Sequence, residues 1–343
     1  MRAAVLHPAA KTLVIEDLPT PEPQPGEMLV RVTACGLCRT DLHYLHGTPT
    51  FKKPPLILGH EVSGTVAGLG PGVADWKEGE RVLIPPVLSC GRCTWCLTGR
   101  GTLCASQVMF GNHRDGGFAE YITIPATAVF RLPEPIPLKE GCIVSDALST
   151  PYHAVVNRAE VRPGQWVAVF GCGGVGLAAV RMAVLAGGRV VAVDISPPKL
   201  DLARSLGAAE TVNAKEVEDV PKALRKITGG GPDTALEVIG NPKTIAQALA
   251  SVRPGGRVVV VGYTDAEVAV NMGRIMFREI EVRGSLGCGL QDFPKVIELV
   301  RSGQIPLGKF VTHTFPLEKI NEGFRLLESS EPTLVRAITV PST

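Results

Sequence analysis

Nine cysteines are spread through the 343 residues, and four of them fall in one short stretch: Cys90-Gly-Arg-Cys93-Thr-Trp-Cys96, then Cys104. Thiols at two-residue intervals converge readily on one tetrahedral ion, and four thiolates make a closed structural zinc site. Two other readings are four reduced thiols in a surface loop and a zinc module for nucleic acid. The segment carries only Arg92 and Arg100 as basic residues, which speaks against the second. A more dispersed set lies earlier, in Cys35-Gly-Leu-Cys38-Arg39-Thr40-Asp41-Leu-His43 and, past a proline-containing stretch, Gly59-His60-Glu61. These residue types suit a metal, but Cys35 and Cys38 also fit a redox pair and His60 an ordinary hydrogen-bonded histidine. Spacing alone leaves that choice open.

The third constellation is glycine-rich. Gly171-Cys-Gly173-Gly174-Val175-Gly176 follows the apolar run Trp166–Phe170 and opens a helical pattern at Leu177. Glycines at this spacing give a tight turn, close backbone approach to a pyrophosphate and close helix–strand packing. The helix N-terminus then offers free N–H groups to the phosphates. A lone pattern of this kind is weak evidence in a chain with 38 glycines. Here a second strand-like run ends in Asp194, eighteen residues past the last glycine. A carboxylate there accepts from the adenosine ribose 2′-hydroxyl and repels a 2′-phosphate, so the expected cofactor is NAD. The competing reading of Asp194 is a turn residue or helix cap at the strand end.

The elements that must position these groups fall into two textures. The first ~150 residues carry short apolar runs (Ala3–Leu6, Leu29–Val32, Val62–Ala67, Arg81–Ile84, Tyr121–Ile124) broken by Pro and Gly, the pattern of a small β-barrel or sandwich. A helix is expected from about Lys139 to Arg158. Beyond it the runs Trp166–Phe170, Val190–Asp194, Thr234–Val238 and Arg257–Val261 alternate with helical patterns at Leu177–Ala186, Lys199–Leu206, Val220–Ile227 and Thr244–Val252. That alternation predicts a doubly wound parallel sheet. The last ~55 residues, with a final strand near Leu334–Val340, are too few for a domain and are expected to complete one of the other two.

Composition narrows the class. A chain with 45% hydrophobic and 20% charged residues and a net charge of +2 is globular and shows no basic footprint for nucleic acid. No apolar run approaches membrane-spanning length, and the N-terminus lacks the regions of a signal peptide. CxxC spacings and an odd cysteine count favour metal ligation in a reducing compartment, so a cytoplasmic location is expected.

Taken in order, Cys38-Arg-Thr-Asp-Leu-His43, Gly59-His60-Glu61, the four-cysteine lobe, Gly116-Gly-Phe-Ala-Glu-Tyr121 and the Gly171–Gly176 fingerprint resemble the zinc-dependent medium-chain alcohol dehydrogenases over essentially the whole chain. The resemblance implies a GroES-like catalytic domain (residues 1–148 with 287–343) and a Rossmann NAD-binding domain (149–286). It implies two zinc ions, one structural on Cys90, Cys93, Cys96 and Cys104 and one catalytic on Cys38 and His60. The family's third catalytic ligand is often a cysteine; here that position falls on Asp146, with Cys142 displaced from it, and a surface carboxylate is the other reading of Asp146. A carboxylate keeps the formal charge but is a harder donor than a thiolate.

The same resemblance implies a proton relay from Thr40 through the cofactor ribose to His43, with Asp41 supporting His60 and Glu61 near the metal. Arg39 would reach the pyrophosphate and Lys199 the adenosine side, although both also read as solvated surface charges. Leu45, Pro86, Phe110 and Leu286 are candidates for an apolar substrate lining, with a core role as the alternative. The implied reaction is reversible oxidation of an alcohol to an aldehyde or ketone by hydride transfer to NAD, in a homodimer or homotetramer. A polyol or hydroxyacyl dehydrogenase, and a non-catalytic NAD- and zinc-binding protein, are the alternatives.

Overall fold

Alternating apolar side chains make a ten-residue strand of Glu27–Gly36 (β1), which buries Met28, Val30 and Val32 on one face. It runs straight into a short helix, Arg39–Leu45 (α1). Glu61–Leu69 (β2) and Arg81–Ile84 (β3) pair antiparallel in succession onto β1, and Tyr121–Pro125 (β4) also pairs with β1. Phe130–Arg131 (β5) closes one edge against β3. A smaller sheet joins Arg2–Leu6 to Leu13–Asp17 and Leu56–Ile57. This computed structural model describes residues 1–329 and 331–341. Positions 330, 342 and 343, which fall in the expected range 287–343, lie outside the described residues.

In the second unit, Leu148–Gly287, the β-branched runs are buried on both faces, as parallel strands between helices must be. Trp166–Phe170 (β6) leads into Gly174–Leu185 (α2), then Arg189–Asp194 (β7), Pro197–Ser205 (α3), Glu210–Asn213 (β8) and Val220–Thr228 (α4). Thr234–Glu237 (β9), Pro242–Ser251 (α5), Arg257–Val260 (β10), Met272–Arg278 (α6) and Glu281–Gly284 (β11) follow. The strands are parallel in the order β8-β7-β6-β9-β10-β11. Strand order reverses at β6/β9, and ligands of open sheets of this kind bind outside the carboxyl ends there.

The final stretch returns to the first unit, which comprises Met1–Ala147 and Cys288–Thr343. Val311–Pro316 (β12), Ile320–Glu328 (α7) and Arg336–Val340 (β13) follow one another, and β13 pairs antiparallel with the end of β1. That pairing sets Arg336 beside the residues that follow β1.

The continuous helix expected over residues 139–158 does not form. A 3-10 turn at Glu140–Val144, a non-helical step and a short helix at Ser149–Tyr152 replace it, and a wide π-type turn follows at His153–Arg158. Pro151 lacks the N–H an unbroken helix would need, and Ser145 turns its hydroxyl to the carbonyls of His60, just before β2, and of Ile84 in β3 instead. The break falls at Asp146.

Candidate metal centres and dinucleotide site

Cys38 caps α1 in an extended conformation, and its N–H donates to Asp41 Oδ2 at 3.1 Å, a reciprocal cap that fixes both residues. The other oxygen of Asp41 accepts from the Gly59 N–H at 3.3 Å, and stands 3.3 Å from His60 Nδ1 without the alignment of a hydrogen bond. One fully buried carboxylate therefore ties the start of α1 to the Gly-His-Glu turn. Gly59 has φ +94°, and a Cβ there would collide with Phe118 and with Cys35 Sγ, so the turn needs glycine.

Asp146 reaches the same place from a distant segment. Its Oδ2 lies 3.6 Å from His60 Nε2 and 3.9 Å from Cys38 Sγ. Ser145 holds the segment there by donating to the carbonyls of His60 (3.2 Å) and Ile84 (2.5 Å). Ligand atoms of Cys38, His60, Glu61 and Asp146 all lie within 4.8 Å of one another. A tetrahedral zinc with bonds of 2.0–2.3 Å needs donors about 3.3–3.8 Å apart, so this mixed S, N and O set fits zinc closely. Thr40 Oγ1 stands 3.6 Å from Cys38 Sγ, beside the cluster.

Electrostatics couple these groups. Burial alone would lower the His60 pKa, but the carboxylates of Asp41 and Asp146 and the Cys38 thiol outweigh it and raise it well above the ordinary value. Burial opposes the Cys38 thiolate, yet Arg336 and His60 together pull its pKa below the ordinary thiol value. Burial pushes the Cys35 thiol well up, as expected of a packed bystander rather than a redox partner.

Glu61 begins β2 fully buried and is ion-paired with Arg336 of β13, whose Nε donates to Glu61 Oε2 at 3.1 Å and whose Nη2 meets Oε1. Gly36 makes room for it, because a Cβ there would lie 1.9 Å from Glu61 Oε2. Arg336 and Ser145 were not among the candidates read from sequence. The available signal for Arg336 was a charged residue inside the apolar run Leu334–Val340, which demands a buried partner. Ser145 had no comparable signal.

On α1, Arg39 and His43 line one recess with Leu42, His46 and Glu328, and His46 Nε2 is 2.5 Å from Glu328 Oε1. Leu45, Pro86 and Phe110 show the alternative, core character. They are buried, Leu45 and Phe110 within the core cluster of the first unit, whereas Leu286 is exposed.

The cysteine lobe gathers a second donor set: Cys90, Cys93, Cys96 and Cys104 offer sulfurs within 4.8 Å of one another. Cys93 Sγ is 3.5 Å from Cys96 Sγ, and Cys90 Sγ is 3.9 Å from it. The edge of a zinc–thiolate tetrahedron is about 3.8 Å. The Arg92 and Cys93 backbone N–H groups pull the Cys90 thiol down to about 6, which readies one thiolate before any ion arrives.

In the second unit, Gly171 has φ +98°, and Gly176 packs so tightly that a Cβ would sit 1.8 Å from the Gly171 carbonyl oxygen. Gly173 faces open space, the side from which a phosphate would approach. Asp194 ends β7 and grips this turn: Oδ2 accepts from the Cys172 N–H at 2.6 Å, and Oδ1 from the N–H groups of Ile195 and Ser196 at 2.7 and 2.9 Å. It is thus a turn residue at the rim of the cradle, and the two readings of it made from sequence are not exclusive. Lys199, half-buried on α3, is near enough to act electrostatically on Cys172.

Residues 24–134 match the family described as the alcohol dehydrogenase GroES-like domain, and residues 174–302 the one described as zinc-binding dehydrogenase. An alcohol dehydrogenase of Geobacillus stearothermophilus is 39% identical over 333 residues, 96% of each chain. The chain belongs to the zinc-binding dehydrogenases. Its fold is accordingly a GroES-like unit with a Rossmann sheet, and it is an oxidoreductase. A solved NAD-dependent alcohol dehydrogenase superposes with a TM-score of 0.93 at 32% identity and 100% coverage of both chains. A zinc-binding dehydrogenase from Sinorhizobium meliloti 1021 bound to NADP does so at 0.91, with 31% identity and 99% coverage of both. Zinc and a nicotinamide dinucleotide are therefore the cofactors of this family member. Among the described residues no helix is long and apolar enough to cross a membrane.

Proposed function

We propose that this chain is a zinc-dependent, NAD-linked alcohol dehydrogenase that interconverts an alcohol with its aldehyde or ketone. The observation that carries the reading is the convergence of Cys38, His60 and Asp146, with Thr40 at their edge. Three protein ligands would hold a catalytic zinc and leave one position for substrate. When bound there, the ion supplies Lewis acidity that lowers the pKa of an alcohol. Thr40 Oγ1 would accept the hydroxyl proton while handing its own on through the cofactor ribose to His43, one turn further along α1, which would deliver it toward solvent. Asp41 orients the His60 ring, and Arg336 holds Glu61 beside the metal position.

The Cys90, Cys93, Cys96 and Cys104 lobe would hold a second, structural zinc. NAD is favoured over NADP by Asp194, whose charge opposes a 2′-phosphate. Arg39 and Lys199 would serve the pyrophosphate and adenosine. The nine cysteines are all free thiols, which fits a reducing, cytoplasmic setting. A homodimer or homotetramer is supported by the outer edge of β11, where Val282 is exposed, and by the exposed Met276, Phe277 and Leu286 on either side of it in sequence.

The test is to count zinc in purified protein and to screen alcohols with NAD and NADP, with light scattering for assembly. Two zincs per chain and NAD-linked oxidation are expected. One zinc and no turnover with any alcohol would discard the enzyme reading.

A further inference from the structure

We propose that Glu237 is a positioning residue: its buried carboxylate holds the turn Val238-Ile239-Gly240 in the shape that receives the nicotinamide half of the cofactor. Glu237 closes β9 and is fully buried. Its Oε1 accepts from the N–H groups of Ile239 and Gly240, both at 3.1 Å, and from Thr244 Oγ1 at 2.7 Å. Its Oε2 also faces the Gly240 N–H at 3.1 Å. Among the described residues no cation pairs with it. Because the Gly240 N–H is shared with Oε2, two acceptor oxygens serve the three donors, which an amide with one oxygen cannot do, and this offsets the cost of burying the carboxylate.

The turn it holds is a wall of the dinucleotide cradle. A Cβ on Gly171 would lie 2.6 Å from Ile239 Cγ1, and one on Gly176 would lie 3.0 Å from Val238 Cγ2. Ile239 nevertheless stays 48% exposed, an apolar side chain left open at the switch point of the sheet. Sheet order assigns the half of the cofactor. Asp194 ends β7 on one side of β6, and phosphates sit over the glycine turn that follows β6. The remainder of the molecule then extends over β9, the neighbour on the other side. Gly240, at φ +78°, is pressed against the backbone of Tyr263, so the turn cannot shift outward to compensate for a lost acceptor.

The proposal rests on the adenosine assignment made above, and titrations with NADH and with AMP separate the two ideas. In Glu237→Gln one oxygen becomes a donor facing the Gly240 N–H. We expect NADH to bind about tenfold more weakly, equivalent to about 1.4 kcal/mol, while AMP, which reports only the adenosine side, stays within about twofold. Thr244→Val, which removes one donor and keeps the carboxylate, should show the same split more weakly; it decides the matter if the Gln variant fails to fold. Unchanged NADH affinity in a folded variant overturns the proposal, and so does parallel weakening of NADH and AMP. Wild-type protein that binds NADH but not AMP overturns the adenosine assignment and this inference with it.

Discussion

Asp146 Oδ2 lies 3.6 Å from His60 Nε2. These two residues come from segments 86 positions apart in the chain, and Ser145 secures the approach by hydrogen-bonding the His60 carbonyl. A carboxylate thus stands beside Cys38 and His60, at the spacing a shared ion would need, rather than on the surface.

Asp146→Ala should lose one zinc of two and essentially all turnover, with the lobe zinc retained. Asp146→Cys should keep both ions, because thiolate and carboxylate bring the same charge. Elemental analysis with steady-state assays gives the answer; an alanine variant with two zincs and full activity would remove Asp146 from the ligand set.

Thr40→Ala should reduce turnover by about a hundredfold or more while NADH affinity holds, since a general acid–base group contributes in that range. His43→Gln should cost less, because solvent can substitute at the exit. Equal kcat in Thr40→Ala and wild type would eliminate this relay.

Asp194→Asn should be more informative than a glycine. The amide oxygen can keep part of the hold on Cys172, Ile195 and Ser196, whereas the charge that repels a 2′-phosphate is lost. The ratio of kcat/KM for NAD over NADP should fall about tenfold with little change in thermal stability. An unaltered ratio would leave Asp194 with its turn-holding role alone.

Zinc binding at the Cys38, His60 and Asp146 site should release a proton from His60 at a pH above the ordinary histidine value of about 6.5, where an unperturbed imidazole has already lost it. The sign follows from the raised His60 pKa: the metal-free site stays protonated to higher pH, so affinity rises with pH through that range. Asp41→Asn removes a main cause of the rise and should reduce the proton count. Calorimetry in buffers of different ionisation enthalpy measures it, and identical counts for both proteins would contradict the electrostatic account.

Cys93→Ser should loosen the lobe and lower the melting temperature without changing the catalytic ligands, because a closed four-thiolate site contributes to folding and not to chemistry. Differential scanning calorimetry with zinc counting tests this, and a variant whose melting temperature is unchanged would argue against a structural ion in the lobe.

Local chemistry was legible in the chain itself. Cys90 to Cys104 span fifteen residues and Gly171 to Gly176 only six, so loop closure brings each group together at small entropic cost, and residue type with spacing is enough to name them. The alternation of strand and helix beyond residue 160 was equally plain, because parallel strands buried on both faces are continuous apolar runs.

What lay beyond the sequence was every choice that depends on distant segments meeting. Cys38 stands beside His60 and Asp146 because of the cap that Asp41 makes with it, while Cys35 packs inward against Gly59 and Gly117. Placing Asp146 needed a contact across 108 residues, and the Arg336–Glu61 pair one across 275. The broken helix at residues 139–158 likewise goes with Ser145 bonding to the carbonyls of His60 and Ile84. Such contacts carry no periodic trace in the chain, since pattern reports which face of an element is apolar but not which other element will lie against it.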